Sequence, residues 1–277
     1  MIDEKLINKV KEQLRGNRKI TFLVGAGLSA ESGIPTFRDS DGYWTIGSKN
    51  YTPQEMGTLK MFNVNSNEVW NWYLNRIQIS RAAKPNKGHF AITAIQKMFP
   101  NRFALISQNV DGLHFESGMD EQDLYLIHGD LRFMRCSENC SNDLFLIPPE
   151  LVNRGKKSNL NFDEIQLLNC PNCDDICRPH VLWFDESYNE KYYKLDSVQR
   201  IAKETGLLFV IGTSGATTLP QIILNLAIGH SSVVVDINPK ANRLTEQITN
   251  SHFGFWIQGK SGDVLPQIAD LIEKEGY

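Results

Sequence analysis

Short apolar runs that alternate with helical patterns constrain the fold of this chain more than any other feature. The runs are strand-sized and rich in Val, Ile and Leu, and each ends at a polar or glycine-containing segment. Strands that are apolar on both faces require a parallel sheet covered on both sides by helices. The sequence therefore predicts an α/β fold with a parallel sheet. Its predicted strands are Lys19–Val24, Phe103–Ser107, Leu124–Ile127, Leu207–Gly212 and Val233–Ile237.

Helical spacing of apolar residues accounts for much of the chain around these strands. The segment Asp3–Leu14 has one apolar face, with lysine and glutamate on the other. Further helices are predicted between the strands, for example His89–Met98 and Pro220–Gly229.

Two long segments interrupt the alternation of strands and helices. Thr36–Arg81 begins as a loop rich in Gly, Asp and Ser and becomes a Trp- and Tyr-rich helix, whereas Arg132–Pro179 holds all five cysteines. We expect both insertions to pack on one side of the sheet and to form a smaller lobe. The predicted division is one domain, residues 1–277, with a large lobe (residues 1–38, 85–131 and 180–277) and a small lobe (residues 39–84 and 132–179).

Composition excludes several classes of protein. Hydrophobic residues make up 41% of the 277 residues and charged residues 22%, which is typical of a folded, soluble protein. The net charge of −3 provides no basic field for non-specific nucleic-acid binding, and the apolar runs are too short to span a bilayer. Acidic residues stand where a secretory signal would be basic. We expect a cytoplasmic monomer with no nucleic-acid or membrane partner.

The cysteines form two close pairs, which suggests a metal site. Cys136 and Cys140 are four residues apart, and Cys170 and Cys173 are three apart. Four thiolates in two such pairs suit tetrahedral Zn²⁺, and a site filled by four sulfurs is structural because no position remains for water. The alternative is four unrelated cytosolic thiols. Cys177 is left over and is interpreted as a small buried thiol.

A glycine-rich turn follows the first strand directly. Its sequence, Gly25-Ala26-Gly27-Leu28-Ser29-Ala30, allows the backbone to approach a pyrophosphate at the start of a helix, although it also suits a simple tight turn. The usual dinucleotide motif also has an acidic residue about 20 positions further on, and the loop Thr45–Tyr51 has none. A nucleotide is therefore not expected to be held as in hydride-transfer enzymes. Asn238 is a candidate for the ribose contact, or else a turn residue before Pro239.

Polar residues also follow two other predicted strands. Gln108, Asn109 and Asp111 come after one strand, and His128 comes after the next. The carboxyl ends of parallel strands line one crevice, which is where open α/β sheets bind ligands. Taken alone, Asn-x-Asp is commonly a turn, and a single histidine at a strand end is commonly structural.

The joint order of these motifs resembles that of the sirtuin family, the NAD-dependent protein lysine deacylases. The resemblance extends from about Lys19 to the segment Gly259–Pro266. The matching elements are Gly25-Ala26-Gly27-x-Ser29, Ser32-Gly33-Ile34-Pro35, Phe37-Arg38, Gln108-Asn109-x-Asp111, His128-Gly129, the paired cysteines, Arg178-Pro179-His180-Val181, Gly212-Thr213-Ser214 and Ile237-Asn238.

The resemblance implies that NAD is consumed as a co-substrate. Nicotinamide leaves, the acyl-lysine oxygen takes its place on the ribose, and the products are nicotinamide, O-acyl-ADP-ribose and free lysine. Asn109 and Asp111 are then expected to hold the nicotinamide amide, and His128 to act as general base for a ribose hydroxyl with a pKa near neutrality. Gln108 and Arg38 are expected to orient ribose and phosphates. Phe37 is expected to shield the reactive face from water and from returning nicotinamide.

The family fold implied is a Rossmann-like sheet with a small lobe made of a four-cysteine zinc module and a helical insertion. The remaining NAD contacts are assigned by the same resemblance. They are Gly25, Ala26, Gly27, Ser29, Gly212, Thr213, Ser214, Asn238 and Ser261.

Two segments are assigned to the acyl-lysine substrate. A Tyr-x-x-Arg pair like Tyr73 and Arg76 binds the acyl carboxylate in the sirtuin branch that removes malonyl and succinyl groups; the alternative is a core tyrosine and a solvated arginine. The segment Val181–Phe184 is expected to form a strand, and its residues Val181, Trp183 and Phe184 are expected to bind the peptide by strand addition. This sequence departs from the family at two positions: Asp185 replaces a glycine where the peptide passes, and Asp39 replaces another after Phe-Arg.

Other functions use the same residues in different ways. A protein ADP-ribosyltransferase or an NAD glycohydrolase would use this NAD site with another nucleophile, and an inert module would only sense NAD. Retention of His128 and of the Val181–Phe184 segment favours deacylation. The missing ribose acid disfavours a dehydrogenase.

Overall fold

The computed structural model describes residues 3–36, 44–46, 49–154 and 159–276. Its strands are β1 Lys19–Val24, β2 Trp44–Ile46, β3 Lys49–Tyr51, β4 Phe103–Ser107, β5 Leu124–Leu126, β6 Gly129–Cys136, β7 Phe145–Leu146, β8 Cys177–Val181, β9 Thr205–Ile211, β10 Val233–Asn238 and β11 Gly254–Gln258. Its α-helices are α1 Glu4–Arg15, α2 Ala26–Ala30, α3 Pro53–Met56, α4 Leu59–Ala82, α5 Lys87–Met98, α6 Leu113–Glu116, α7 Pro149–Val152, α8 Phe162–Gln166, α9 Glu190–Tyr193, α10 Leu195–Glu204, α11 Thr218–Gly229, α12 Arg243–Thr249 and α13 Ser261–Lys274.

A six-stranded parallel sheet forms the centre of the molecule, in the order β11-β10-β9-β1-β4-β5. Val24, the last residue of β1, is in register with Ser107 of β4 and with Ile211 of β9. The carboxyl ends of these three strands are therefore level. The predicted α/β fold with a parallel sheet is confirmed, and the sequence analysis did not predict the edge strand β11.

Apolar residues cover both faces of this sheet. On one face, α1, α5 and α13 pack against the strands through residues such as Leu14, Ile92 and Leu265. On the other face, α10, α11 and α12 pack through residues such as Val198 and Ile223. Both faces of β9 are fully buried, which is the reason for its continuous apolar sequence.

A second apolar cluster joins the two long insertions. It contains α4 and a small antiparallel sheet in the order β7-β6-β8. Trp70 of α4 is completely buried there and donates its indole N–H to the carbonyl of Cys177 at 2.8 Å. The insertions therefore pack on each other, while the exact division of the chain into two lobes stays a prediction.

The strand expected at Val181–Phe184 is wrong. The observed strand, β8, ends at Val181, and the chain turns at Phe184–Glu186. The turn is held by Glu186, which accepts hydrogen bonds from the backbone N–H of Trp183 at 2.9 Å and from Arg178 at 2.5 and 2.7 Å. These contacts to a buried guanidinium fix a turn where the local sequence favours an extended chain.

Across the described ranges, no helix is both long and apolar enough to cross a membrane.

Candidate active site

The glycine-rich turn packs directly on the end of β9. Gly27 donates its backbone N–H to the carbonyl of Gly212 at 2.9 Å. A Cβ atom on Gly27 would lie 2.6 Å from the Cα of Gly212, and one on Gly25 would lie 2.9 Å from the oxygen of Gly212. These glycines are therefore required by the close approach of two loops. Because these glycines have no side chains, the start of α2 and the segment Gly212–Ser214 can lie side by side.

Ser29, Asn109 and Asp111 form one hydrogen-bonded group at the ends of β1 and β4. The hydroxyl of Ser29 donates to the Asp111 carboxylate at 2.7 Å, and the amide of Asn109 donates to Ser29 Oγ and to the Gly25 carbonyl, both at 3.1 Å. Asn109 is buried. The structure thus brings together three residues that were predicted to bind NAD, and their mutual hydrogen bonds fix their orientations.

Gln108 connects this group with the end of β9. Its side-chain amide donates to the Val24 carbonyl at 3.2 Å and to Thr213 Oγ1 at 3.0 Å. Its side-chain oxygen accepts a hydrogen bond from Thr217 at 3.3 Å. Gln108 therefore links three neighbouring strand ends, and its polar atoms are already bonded to protein groups.

His128 lies where β5 passes into β6, with its ring held at both nitrogens. Nδ1 is 3.0 Å from the backbone oxygen of Gln108, and Nε2 is 2.8 Å from the hydroxyl of Tyr188. Burial lowers the pKa of His128 to about 4, and the hydrogen bond to Gln108 acts in the opposite direction. This pKa is lower than the near-neutral value expected from the sequence. The imidazole is therefore neutral at neutral pH and able to accept a proton.

The residues assigned to the far end of NAD lie at the carboxyl end of β10 and the start of α13. The amide of Asn238 donates to the Asp236 carboxylate, and the hydroxyl of Ser261 donates to Glu31 at 2.7 Å. Glu31 also accepts the N–H of Gly262 at 2.9 Å. Both assigned side chains thus bond to acidic groups of the protein. Phe37 and Arg38, assigned to NAD, and Asp39 lie outside the described residues.

Four of the five cysteines form a single cluster. The sulfur atoms of Cys136, Cys140, Cys170 and Cys173 all lie within 4.8 Å of one another. A tetrahedral Zn²⁺ with bonds of about 2.3 Å separates its sulfur ligands by about 3.8 Å, so the cluster fits this ion. Cys177 is completely buried beside the cluster, as expected for the leftover thiol.

The residues assigned to the acyl-lysine substrate lie on α4 and in the loop after β8. Tyr73 is buried, and its hydroxyl accepts a hydrogen bond from the indole N–H of Trp183 at 3.0 Å. The guanidinium of Arg76 lies 5.3 Å from the ring centre of Trp72, and burial lowers its pKa. Arg76 is therefore partly buried. Phe184 is 52% exposed, and its backbone N–H donates to the Gly57 carbonyl at 2.9 Å.

Asp185 does not extend a carboxylate freely into a peptide path. Its two carboxylate oxygens accept the backbone N–H groups of Leu59 at 2.8 Å and of Lys60 at 3.1 Å. These N–H groups belong to the first turn of α4 and have no partner within the helix. The departure from the family glycine therefore caps a helix and ties the loop after β8 to α4.

Tyr188 and Glu31 contact predicted site residues, and sequence reasoning missed both. Tyr188 follows a turn in which no periodic pattern distinguishes it from a surface residue. Glu31 stands one residue beyond α2 and contacts α13 only because the fold brings residues 230 positions apart together.

Comparisons with known proteins agree with this geometry. Residues 25–218 match the Sir2 family. A protein of Leptospira interrogans named NAD-dependent protein deacylase is 37% identical over 259 residues, covering 91% of this chain and 92% of that protein. A protein of the same name from Pyrococcus furiosus is 32% identical over 269 residues, covering 97% and 99%. A solved structure of a Sir2 homologue in complex with NAD has a TM-score of 0.81 at 29% identity, covering 99% of this chain and 95% of that one. The chain belongs to the Sir2 family, the sirtuins whose motifs it carries.

Proposed function

We propose that this protein removes acyl groups from protein lysine side chains and consumes NAD in the reaction. The observation that carries the proposal is the neutral His128 beside the hydrogen-bonded group of Ser29, Asn109 and Asp111. A neutral imidazole accepts a proton from a ribose hydroxyl, and fixed amide and carboxylate groups are suited to hold the nicotinamide carboxamide. The products are nicotinamide, O-acyl-ADP-ribose and free lysine.

The roles of the other crevice residues follow from their contacts. Gln108 orients the ribose and positions His128, because its backbone oxygen holds the Nδ1 proton of the imidazole. The start of α2 and the segment Gly212–Ser214 receive the phosphates, since the two lie side by side at the carboxyl ends of β1 and β9, where open parallel sheets bind nucleotides. Asn238 and Ser261 receive the adenosine end. In this proposal the protein acts as a cytoplasmic monomer on acyl-lysine peptides, without nucleic acid or membrane.

We also propose that the four-cysteine cluster binds one structural Zn²⁺. The cluster joins the end of β6 to the segment before β8, so the ion would stabilise the small sheet. A zinc ion with four thiolate ligands has no open coordination position for a substrate.

The acyl group that we propose is an acidic one, such as succinyl or malonyl. Tyr73 and Arg76 lie close enough to affect each other's pKa, and the guanidinium is partly buried, which lowers its pKa. A desolvated guanidinium gains more from a carboxylate partner than a solvated one does, and its planar donors match both carboxylate oxygens.

The test is mass spectrometry of the products formed from NAD and a panel of acetyl-, malonyl- and succinyl-lysine peptides. We expect O-acyl-ADP-ribose with every peptide that reacts. Transfer of a label from NAD to a protein, without any O-acyl product, would instead identify an ADP-ribosyltransferase. Formation of free ADP-ribose alone would identify an NAD glycohydrolase.

The same panel tests the acyl preference. Arg76→Met is expected to reduce kcat/KM for the acidic peptides at least about 10-fold relative to the acetyl peptide, the loss of one charge-assisted pair. Arg81→Met removes an exposed arginine from the same helix and is the matched control. An unchanged preference in Arg76→Met would refute the acidic pocket.

A further inference from the structure

The acceptor nitrogen of His128 is already engaged by a tyrosine hydroxyl. A backbone carbonyl only accepts hydrogen bonds, so the contact of Nδ1 with the Gln108 oxygen places the ring proton on Nδ1. Nε2 is then the acceptor, and the Tyr188 hydroxyl, 2.8 Å away, is the donor. The single in-plane lone pair of the neutral imidazole therefore points at Tyr188.

The residues on both sides of Tyr188 fix its place. Two positions before it, Glu186 is bonded to the buried Arg178 and to the N–H of Trp183. One position after it, Asn189 caps α9 by accepting the N–H of Tyr192 at 2.8 Å. The segment is thus anchored at each end, and the phenol ring packs against the apolar core of the sheet. The contact of Tyr188 with His128 is therefore held in place by the surrounding fold.

This arrangement limits the route by which a proton can reach the base. While Tyr188 stays in place, Nε2 has no second lone pair for a ribose hydroxyl. The phenol oxygen also contacts the side chain of Thr217, and its two lone pairs leave it able to accept a further hydrogen bond. Burial raises the pKa of Tyr188 to about 12, so the phenol is neutral at neutral pH, as His128 is. Proton transfer from a ribose hydroxyl to the phenol and on to the imidazole can therefore begin, because the phenol oxygen carries a proton and Nε2 does not.

We propose that Tyr188 is a catalytic residue that relays the proton of the ribose hydroxyl to His128. The proposal rests on the deacylase function proposed above. The O–H bond of the ribose breaks and its proton passes to the phenol oxygen, while the phenol proton passes to Nε2. The electron pair left on the ribose oxygen forms the C–O bond to the acyl carbon, while the double bond between that carbon and the lysine nitrogen becomes single and its electron pair moves to the nitrogen. His128 becomes an imidazolium, and Tyr188 is again a neutral phenol.

The test is Tyr188→Phe, which removes the hydroxyl and keeps the ring. The acyl-transfer rate is measured in single turnovers with enzyme in excess, using whichever of the acetyl- and succinyl-lysine peptides reacts faster. We expect it to fall about 10²-fold, the usual effect of losing a proton-transfer group. Exchange of labelled nicotinamide into NAD does not require this proton and is expected to stay within about 2-fold, since it reports only on the glycosidic bond.

Tyr192→Phe is the matched control, because it removes a buried tyrosine hydroxyl from the same part of the chain. In the described part of the molecule that hydroxyl has no hydrogen-bond partner, so the control is expected to transfer the acyl group at the wild-type rate. An equal loss in both variants would overturn the relay, and so would a Tyr188→Phe rate that is unchanged or faster.

A second measurement separates a relay from a structural role of the phenol. In mixtures of H₂O and D₂O, two protons moving together give a curved dependence of the wild-type rate on deuterium fraction, and one proton gives a line. We expect a curve for the wild type and a line for Tyr188→Phe; a line for both contradicts the relay. Failure of the deacylase proposal is distinct, because the wild type would then form no O-acyl product.

Discussion

The crevice at the strand ends and the small sheet beside it are held together by different kinds of contact. In the crevice, residues 25–29, 107–111, 128 and 212–214 bond to one another at the level ends of neighbouring parallel strands. Beside the small sheet, four cysteine sulfurs gather in one cluster, and side chains of the adjoining segment reach α4, as Trp183 does to Tyr73. The positions of the first group follow from sheet topology alone, whereas those of the second require the insertions to fold on each other. A mutation in one region is therefore expected to leave the other region largely unchanged.

Loss of the proposed zinc ion is expected to affect the fold more than any other change, and its effect is expected to be confined to the small sheet. Cys170→Ser removes one of the four proposed ligands, so zinc content should fall below about half of one ion per chain. Amide hydrogen exchange in β6 and β8 should speed up at least about 10²-fold, and in β1 and β4 less than about 10-fold, because the parallel sheet has its own core. Cys177→Ala is the control and should keep its zinc. Equal loss of protection in both sheets would show that the two regions form one cooperative unit.

Replacement of His128 should abolish activity and leave the fold intact. We expect His128→Ala to lower the acyl-transfer rate about 10³-fold, or about 4 kcal/mol in activation free energy, because no other base faces the ribose hydroxyl in this proposal. NAD affinity, measured by calorimetry, should stay within a few-fold. The exposed His252→Ala is the control. Full activity of His128→Ala would remove this residue from the mechanism.

The two regions also differ in how far the sequence predicts them. The strands β1, β4, β9 and β10 were predicted to within two residues, since their apolar runs are continuous and each ends at a distinctive polar group. The cysteine cluster was also predicted, because the two members of each cysteine pair are close in sequence. Both predictions depend on residues that are close together in the sequence.

What the sequence did not predict depends on residues that are far apart along it. Asp185 caps a helix that begins 126 residues earlier, and Tyr188 contacts a histidine 60 residues away. The extended strand expected at Val181–Phe184 is replaced by a turn, because Glu186 pairs with the buried Arg178. Local pattern carries no information about such pairings, so the conformation of Val181–Phe184 was predicted incorrectly.

Gly129 lies on the boundary between the two regions, since it follows His128 and pairs with β8. Its φ is +90°, and a Cβ atom would lie 2.1 Å from the backbone oxygen of His180. We expect Gly129→Ala to lower the free energy of unfolding by about 3 kcal/mol, from strain and from the clash together. Urea denaturation measures the change.

Gly118→Ala is the control that separates these two causes. Gly118 has a similar φ of +79°, but a Cβ atom there would meet no described atom within 4 Å. This variant should lose only about 1 kcal/mol. Equal losses in the two glycine variants would mean that the boundary between the regions is not tightly packed.

The smallest expected effect concerns the contact between the loop after β8 and α4. Asp185→Ala leaves the N–H groups of Leu59 and Lys60 without their carboxylate, and loss of such a cap costs about 1 kcal/mol in the free energy of unfolding. The exposed Asp270→Ala on α13 should change it by less than about 0.5 kcal/mol. KM for an acyl-lysine peptide should rise, because Trp183 and Phe184 lose their anchor, while NAD affinity stays constant. If Asp185→Ala changed NAD affinity and not peptide KM, the loop would belong energetically to the strand-end crevice, and the separation of the two regions would fail at this point.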